Sequence, residues 1–247
     1  VGTALAKLVT EDKIDLDQTL KKYLPSLGGT GSDEITVRQT ATHTSGINNT
    51  KKYAKNYSGE KVINKILTHD VTWPPGTKYK YSCLGFIRLS EMIANVTNMS
   101  FENYLKQNIF KVLGTEDTQF GPITGSKKER CARFKRPLGK ISDPNTRNIQ
   151  RPVGNAALFS TALDVSKFAT LWLQKGTYSG TQIFSKSSAE TFTSRQSSII
   201  DRGIAWNRRG LNFSDKISRQ AYGHTGYLGH HIVIDPVNNY YIILLTN

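Results

Sequence analysis

Apolar residues recur at helical spacing through much of the chain and give way near its end to short β-rich runs. Leu5, Leu8 and Val9 predict a helix over residues 2–12, after which "DKIDLDQTLKKYLP" turns the chain as far as Pro25. "TVRQTATHTSG" reads as a short helix closed by Gly46, and "EKVINKILTHD" as another ahead of the loop "TWPPGTKYKYS". In "LGFIRLSEMIANVT" the residues Phe86, Ile87, Leu89, Met92, Ile93 and Val96 repeat along a helix that begins near Leu84. "SFENYLKQNIFKVLG" follows, with Ser100 as cap and Gly114 as stop. Residues 115–155 carry Gly, Pro and charge without a period and read as irregular. Two more helices are predicted over 161–176 and 185–195. "GIAWNRR", "GHHIVIDP" and "NYYIILLTN" read as strands, with "DPVNNY" as a hairpin turn between the last two. Helices followed by an antiparallel sheet predict an α+β chain. A helix starting at residue 2 with no capping residue before it, and a final ribbon short of partner strands, together predict a chain cut at both ends.

Composition adds bounds rather than a function. With 247 residues, 37% hydrophobic and 21% charged, the chain is long enough for a real core. No apolar run reaches membrane-spanning length, and the first residues lack the order of a secretory signal. Thirty-three Lys and Arg against nineteen Asp and Glu leave +14, a charge that attracts anionic partners. The one dense basic cluster, "SKKERCARFKRPLGK" over 126–140, comes with no nucleic-acid motif and reads as a solvated loop. Cys83 and Cys131 are too few for a disulfide framework and lack zinc spacing. His230 and His231 point to opposite sides of a strand and so share no ion, and neither a metal nor an organic cofactor is implied. Asn-x-Ser/Thr triplets at Asn48, Asn56, Asn95, Asn98 and Asn212 hint at a secretory route, which chance in so Asn-rich a chain also explains. The compartment and the oligomeric state stay unassigned.

Three segments carry candidate chemistry. In "AYGHTGYLGHHIVIDP", His224, Thr225 and Gly226 precede a strand, where edge amides hold an acyl oxygen as charge develops on it. Gly226 there lets a substrate backbone come near, although such a triplet also serves as a plain polar turn. In "WPPGTKYKYSCLGF", Tyr81, Ser82 and Cys83 stand just before a helix, whose positive end favours the deprotonated phenol or thiol. The alternative is a tyrosine that packs and a serine that caps. In "TVRQTATHTSGI", His43 is either a general base or a side chain that ties one loop to another.

Taken in this order, the segments resemble the serine β-lactamase and penicillin-binding-protein-like family. The branch is that of class C β-lactamases, D-alanyl-D-alanine peptidases and related esterases, including eukaryotic β-lactamase-like proteins. The likeness also runs through "LAKLVTEDKIDLDQTLKKYLP", "NIFKVLGTEDTQF" and "DPNTRNIQRPVGNAALFSTALDVSKFA", and so spans the chain. It implies one β-lactamase/transpeptidase-like domain over 1–247, incomplete at both termini. Within it, the resemblance implies a mainly helical subdomain over about 30–160 and a helix-plus-sheet subdomain made of 1–29 and 161–247. It also implies acyl transfer through a serine, with S-x-x-K supplying the nucleophile, Y-x-N a proton-handling tyrosine and a substrate-binding amide, and K-T-G or H-T-G a pocket wall. Tyr81 then matches the tyrosine, His224, Thr225 and Gly226 the wall, and the backbone N–H of Tyr227 half of the oxyanion hole. The implied partner is a small-molecule or peptide-like acyl substrate.

Two departures follow. Cys83 stands where the family has asparagine, a poorer partner for a substrate amide. The S-x-x-K motif is expected upstream of Val1, and the literal match Ser58-Gly59-Glu60-Lys61 falls where the family keeps no nucleophile. An imidazole in place of lysine at the wall weakens fixed positive charge and favours an esterase or peptidase over a binder of β-lactam carboxylates. A non-catalytic binding or assembly module is the alternative, and a cysteine-based site would need His224 within reach of Cys83.

Overall fold

A computed structural model describes residues 1–48, 53–133, 137–208 and 215–246 of the chain. The triplet at Asn212, the Phe134–Arg136 part of the basic cluster and Arg209 of the predicted strand "GIAWNRR" lie outside those residues. The helices are α1 (Gly2–Thr10), α2 (Leu20–Tyr23), α3 (Val37–Ala41), α4 (Glu60–Leu67), α5 (Cys83–Thr97), α6 (Phe101–Leu105), α7 (Lys111–Leu113), α8 (Pro144–Ile149), α9 (Ala162–Leu173) and α10 (Lys186–Thr193). The strands are β1 (Gln119–Phe120), β2 (Leu158–Phe159), β3 (Thr177–Tyr178), β4 (Thr181–Gln182), β5 (Asn207–Arg208), β6 (Tyr222–Thr225), β7 (His231–Asp235) and β8 (Tyr240–Leu244). The class is α+β. Two compact units divide these elements, one of residues 1–105 and 141–157, the other of 106–140 and 158–247. No helix among the described residues is long and apolar enough to cross a membrane.

In the first unit, α5 is the longest helix and the axis of the packing. Ser82 caps it by accepting the Gly85 amide at 3.4 Å, and Asn98 closes it in the left-handed conformation. Leu84, Ile87, Leu89, Met92 and Ile93 are buried along it, against apolar residues of α4 such as Val62, Ile63 and Ile66. Arg88 is fully buried in the same row. Its guanidinium donates to the carbonyls of Ile66 (3.0 Å), Leu67 (3.3 Å) and His69 (2.6 Å) and to the Ser32 hydroxyl (3.4 Å). These carbonyls belong to the last turn of α4 and to His69, two residues beyond its end, where the helix dipole is negative and carbonyls have no partner inside the helix. Burial lowers the Arg88 pKa to about 10, which leaves it charged at neutral pH. Arg151 clamps the outer side of this unit, reaching Glu60 at 2.6 Å and Glu91 at 2.8 Å.

Helix α3 opens on a capping box: the Thr36 hydroxyl accepts from the Gln39 amide at 3.1 Å and the Gln39 side chain accepts from the Thr36 amide at 2.9 Å. It stops at Ala41, short of the Gly46 that the sequence predicts. Thr42 turns its hydroxyl onto the Arg38 carbonyl and His43 takes a left-handed φ of 60°, so the turn is spent before the glycine arrives. Gly46 serves a different purpose, because a β-carbon there would collide with the Trp73 carbonyl.

The second unit is built on the antiparallel sheet β5-β6-β7-β8, in register Gly223↔Val233, Thr225↔His231 and Val233↔Ile242. Trp172 of α9 is the centre of its core. The Trp172 ring lies 4.6 Å from Phe184 and 5.2 Å from Trp206, and its carbonyl accepts the Tyr222 hydroxyl at 3.0 Å. The residues read as irregular hold more order than expected. β1 pairs with β2, and α8 starts on Asp143 with Pro144 at its first position, a start signal present in the sequence. The predicted strand "GIAWNRR" shrinks to β5, because Ala205 takes a positive φ and Arg202 turns back to bridge Asn207. His224 and Thr225, expected ahead of a strand, lie within one of their own, β6.

The β7–β8 turn is knotted by Asp235, which accepts from the Ser218 amide (2.8 Å) and hydroxyl (2.6 Å), the Val237 and Asn238 amides (3.1 and 3.2 Å) and the Asn238 side chain (2.8 Å). Burial by itself raises a carboxyl pKa, but the hydrogen bonds from Ser218 and Asn238 outweigh it and bring Asp235 down to about 2. Replacing Arg88 by Met should lower stability by about 3 kcal/mol, since the His69 carbonyl loses its charged donor and the Ile66 and Leu67 carbonyls are left to the backbone amides of His69 and Gly28 alone; an unshifted urea midpoint would refute this. Asp235 has its folded pKa below the unfolded one, so its contribution is whole above about pH 4 and drains away as the pH falls towards 2. Asp235→Asn should therefore cost about 1–2 kcal/mol at neutral pH and flatten the fall in urea midpoint between pH 5 and 2. Parallel slopes for variant and wild type would count against the knot.

Candidate functional site

The candidate residues fall into two sets, one in each unit. Tyr81 and Cys83 stand at the head of α5 in the first; His224, Thr225, Gly226 and Tyr227 stand at the end of β6 and in the following turn in the second.

At the head of α5 the backbone runs extended through Ser82 and enters the helix at Cys83, one residue earlier than predicted. Ser82 is buried and serves as the cap, as the structural alternative for that segment anticipates. Tyr81 just before it keeps 44% of its surface exposed. Cys83 is half-buried at the first helical position and is not disulfide-bonded. The loop leading to Tyr81 is pinned to the His43 loop: Gly76 donates to the Thr44 carbonyl (2.8 Å), Lys80 to the His43 carbonyl (2.9 Å) and Ser82 to the His43 Nδ1 (3.1 Å). His43 is buried, and these bonds join its loop to the one before α5, the tie that the sequence offers beside a general base. Gly85, in the first turn of α5, meets Thr40 of α3, whose methyl would lie 3.3 Å from an added β-carbon.

In the second unit, β5 pairs with only Tyr222 and Gly223 of β6. On its other side β6 pairs along its whole length with β7, His224 opposite Ile232 and Thr225 opposite His231. The His224 Nδ1 donates to the Thr225 carbonyl at 2.8 Å, which leaves Nε2 as the acceptor facing the Arg202 guanidinium at 3.5 Å. Arg202 is buried and also donates to the Asn207 side chain. Burial first, and the Arg202 charge second, push the His224 pKa down to about 4 against the Thr225 hydrogen bond. The imidazole is thus neutral at neutral pH, as the sequence reading requires. The fixed positive charge beside it comes instead from Arg202, a residue that no pattern in "DRGIAWN" marks.

Gly226 is also explained from within the chain. A β-carbon on it would stand 3.0 Å from the His230 ring, and its amide donates to the His230 carbonyl at 2.7 Å. The group that comes close to Gly226 in this structure is therefore His230 across the turn. Gly229 takes a φ of 91° beside Thr246, which donates its hydroxyl to the Leu228 carbonyl at 2.7 Å. Tyr227 at the tip is 94% exposed, and among the described residues its amide has no hydrogen-bond partner.

The chain is similar to proteins with known names. It is 30% identical to the N-acetylmuramyl-L-alanine amidase of Bacillus subtilis strain 168 over 99% of its own residues, and spans 64% of that relative's length, just under two thirds. Its fold matches the crystal structure of a penicillin-binding-protein homolog from Caulobacter crescentus (TM-score 0.77, 20% identity, covering 98% of this chain and 74% of that one). It also matches a family VIII carboxylesterase (TM-score 0.76, 18% identity, covering 100% and 75%). A sequence model of the Beta-lactamase family matches residues 1–247 from end to end, and the protein is a member of that family.

Proposed function

We propose that the protein is a serine hydrolase that forms an acyl-enzyme with an ester or amide. The observation that carries this reading is the pairing of family membership over the whole chain with a solvent-facing phenol held at the head of α5. In the proposed cycle a serine from an S-x-x-K segment outside these residues attacks the acyl carbonyl. The Ser Oγ–C bond forms, the bond to the leaving alcohol or amine breaks, and the serine proton passes through the lysine and Tyr81 to the leaving group. Water then repeats the attack and frees the acid. The Tyr227 amide is assigned as one donor to the developing oxyanion, and His224, Thr225 and Gly226 as the wall along which the acyl group lies. The names amidase and carboxylesterase among its relatives fit an amide or ester substrate.

A second reading, a non-catalytic binding module, draws on Cys83. A thiol at the first position of α5 gives a substrate amide a weaker partner than the family's asparagine. A fluorophosphonate probe on the full-length protein separates the two: serine labelling supports the hydrolase, and no labelling with no turnover supports the binding module. In the hydrolase, Tyr81→Phe should lower kcat by about 10²–10³ with little change in KM, the size of effect expected for loss of a positioned proton carrier. Because His224 binds its proton only near pH 4, kcat/KM should not fall between pH 7.5 and 5.5 on its account. An acid limb near 6.5 that disappears in His224→Gln would overturn that assignment.

A further inference from the structure

We infer that His43 is a positioning residue for Tyr81, holding the phenol in place from both its ring face and its backbone; the inference deepens the hydrolase reading and rests on it. A half-exposed tyrosine at the end of a loop has free rotation about two side-chain bonds. A proton carrier must nevertheless stay within hydrogen-bond reach of its partners, and a displacement of about 1 Å can cost about a hundredfold in rate. The structure supplies the restraint from one buried residue, through its backbone carbonyl and its ring. The residues on either side of Tyr81 both hang from His43: Lys80 donates its amide to the His43 carbonyl and Ser82 donates its amide to Nδ1. Between these two anchors the His43 ring lies against the Tyr81 ring, centroids 4.3 Å apart and planes 35° from parallel. The same imidazole lies against Phe86 of α5 at 4.9 Å and 26°, which keeps it from swinging away.

The bond from Ser82 also fixes the state of the imidazole. Nδ1 must present a lone pair, so a neutral ring carries its proton on Nε2. His43 holds a φ of 60°, a left-handed conformation that His, Asn and Asp take more readily than other side chains, and it does so inside a loop whose His43 and Thr44 carbonyls accept from Lys80 and Gly76. Gly and Asn both accept that backbone. Gly removes the acceptor and the ring, while Asn places its side-chain oxygen near the position of Nδ1.

The experiment measures kcat and KM of the full-length protein for p-nitrophenyl butyrate in wild type, His43→Gly, His43→Asn, Tyr81→Phe and the His43→Gly/Tyr81→Phe pair. His43→Gly is expected to lower kcat about 10–100-fold with KM within about threefold, and His43→Asn to recover most of that loss. The double variant is expected to be no slower than Tyr81→Phe, because a misplaced phenol and an absent one fail at the same step. Unchanged kcat in His43→Gly, no recovery in His43→Asn, or losses that multiply in the pair would each overturn the inference. Should the wild type turn over no ester or amide, the hydrolase reading fails by itself. The positioning is then decided by the ¹⁹F line of 3-fluorotyrosine placed at position 81. It should sharpen in His43→Gly and stay broad in His43→Asn, and a line unchanged in His43→Gly overturns the inference.

Discussion

The first unit depends on a guanidinium taken out of water and made to serve as the end-piece of a neighbouring helix. Moving Arg88 into the core costs several kcal/mol unless its donors are satisfied in place. The carbonyls closing α4 satisfy them, and the Ser32 hydroxyl adds a further contact. The exchange is mutual, since those carbonyls have no continuing helix to receive them and the guanidinium adds to the His69 and Gly28 amides that Ile66 and Leu67 also accept. It also fixes α5 against α4 and against the turn at 32–34, and with α5 fixed its first residues have one place to be.

The two candidate sets reach order by different physical means. At the head of α5 the reactive side chain faces water while its supports are buried: Ser82 caps, Gly85 permits α3 to come close, and the 73–80 loop is bonded to the 43–46 loop. At the end of β6 the polarity is reversed. His224 is pushed towards neutrality by its surroundings, with a buried arginine at its back, and the exposed parts are the turn residues Gly226 and Tyr227. An imidazole held neutral beside a permanent cation is an acceptor of hydrogen bonds from one side only, so its orientation follows from Arg202 and Asn207 as much as from β6.

Most helices were legible because their signals are local. Caps at Ser82, Ser100, Thr161 and Ser185 and stops at Asn98 and Gly114 sit next to apolar periods that the core requires. The misreadings share a cause: two-residue strands such as β1 and β2 have too few positions for alternation to show, and the end of α3 is decided by threonine hydroxyls rather than by the next glycine. The candidate residues were legible as a pattern of separated segments. What sequence alone did not expose was the supporting layer, above all Arg202 beside His224 and His230 beside Gly226, because those neighbours are set by how the chain folds back on itself.

The closeness of His230 to Gly226 makes these two positions a coupled pair for any redesign of the turn. A residue larger than glycine at 226 needs His230 to give way by a few tenths of an ångström, so single substitutions there test packing together with recognition. Tyr227 is free of that coupling, since its side chain stands almost wholly in solvent. Variation that alters what the turn greets, in nature or in the laboratory, therefore has its cheapest route through position 227, while a change at 226 is felt at 230.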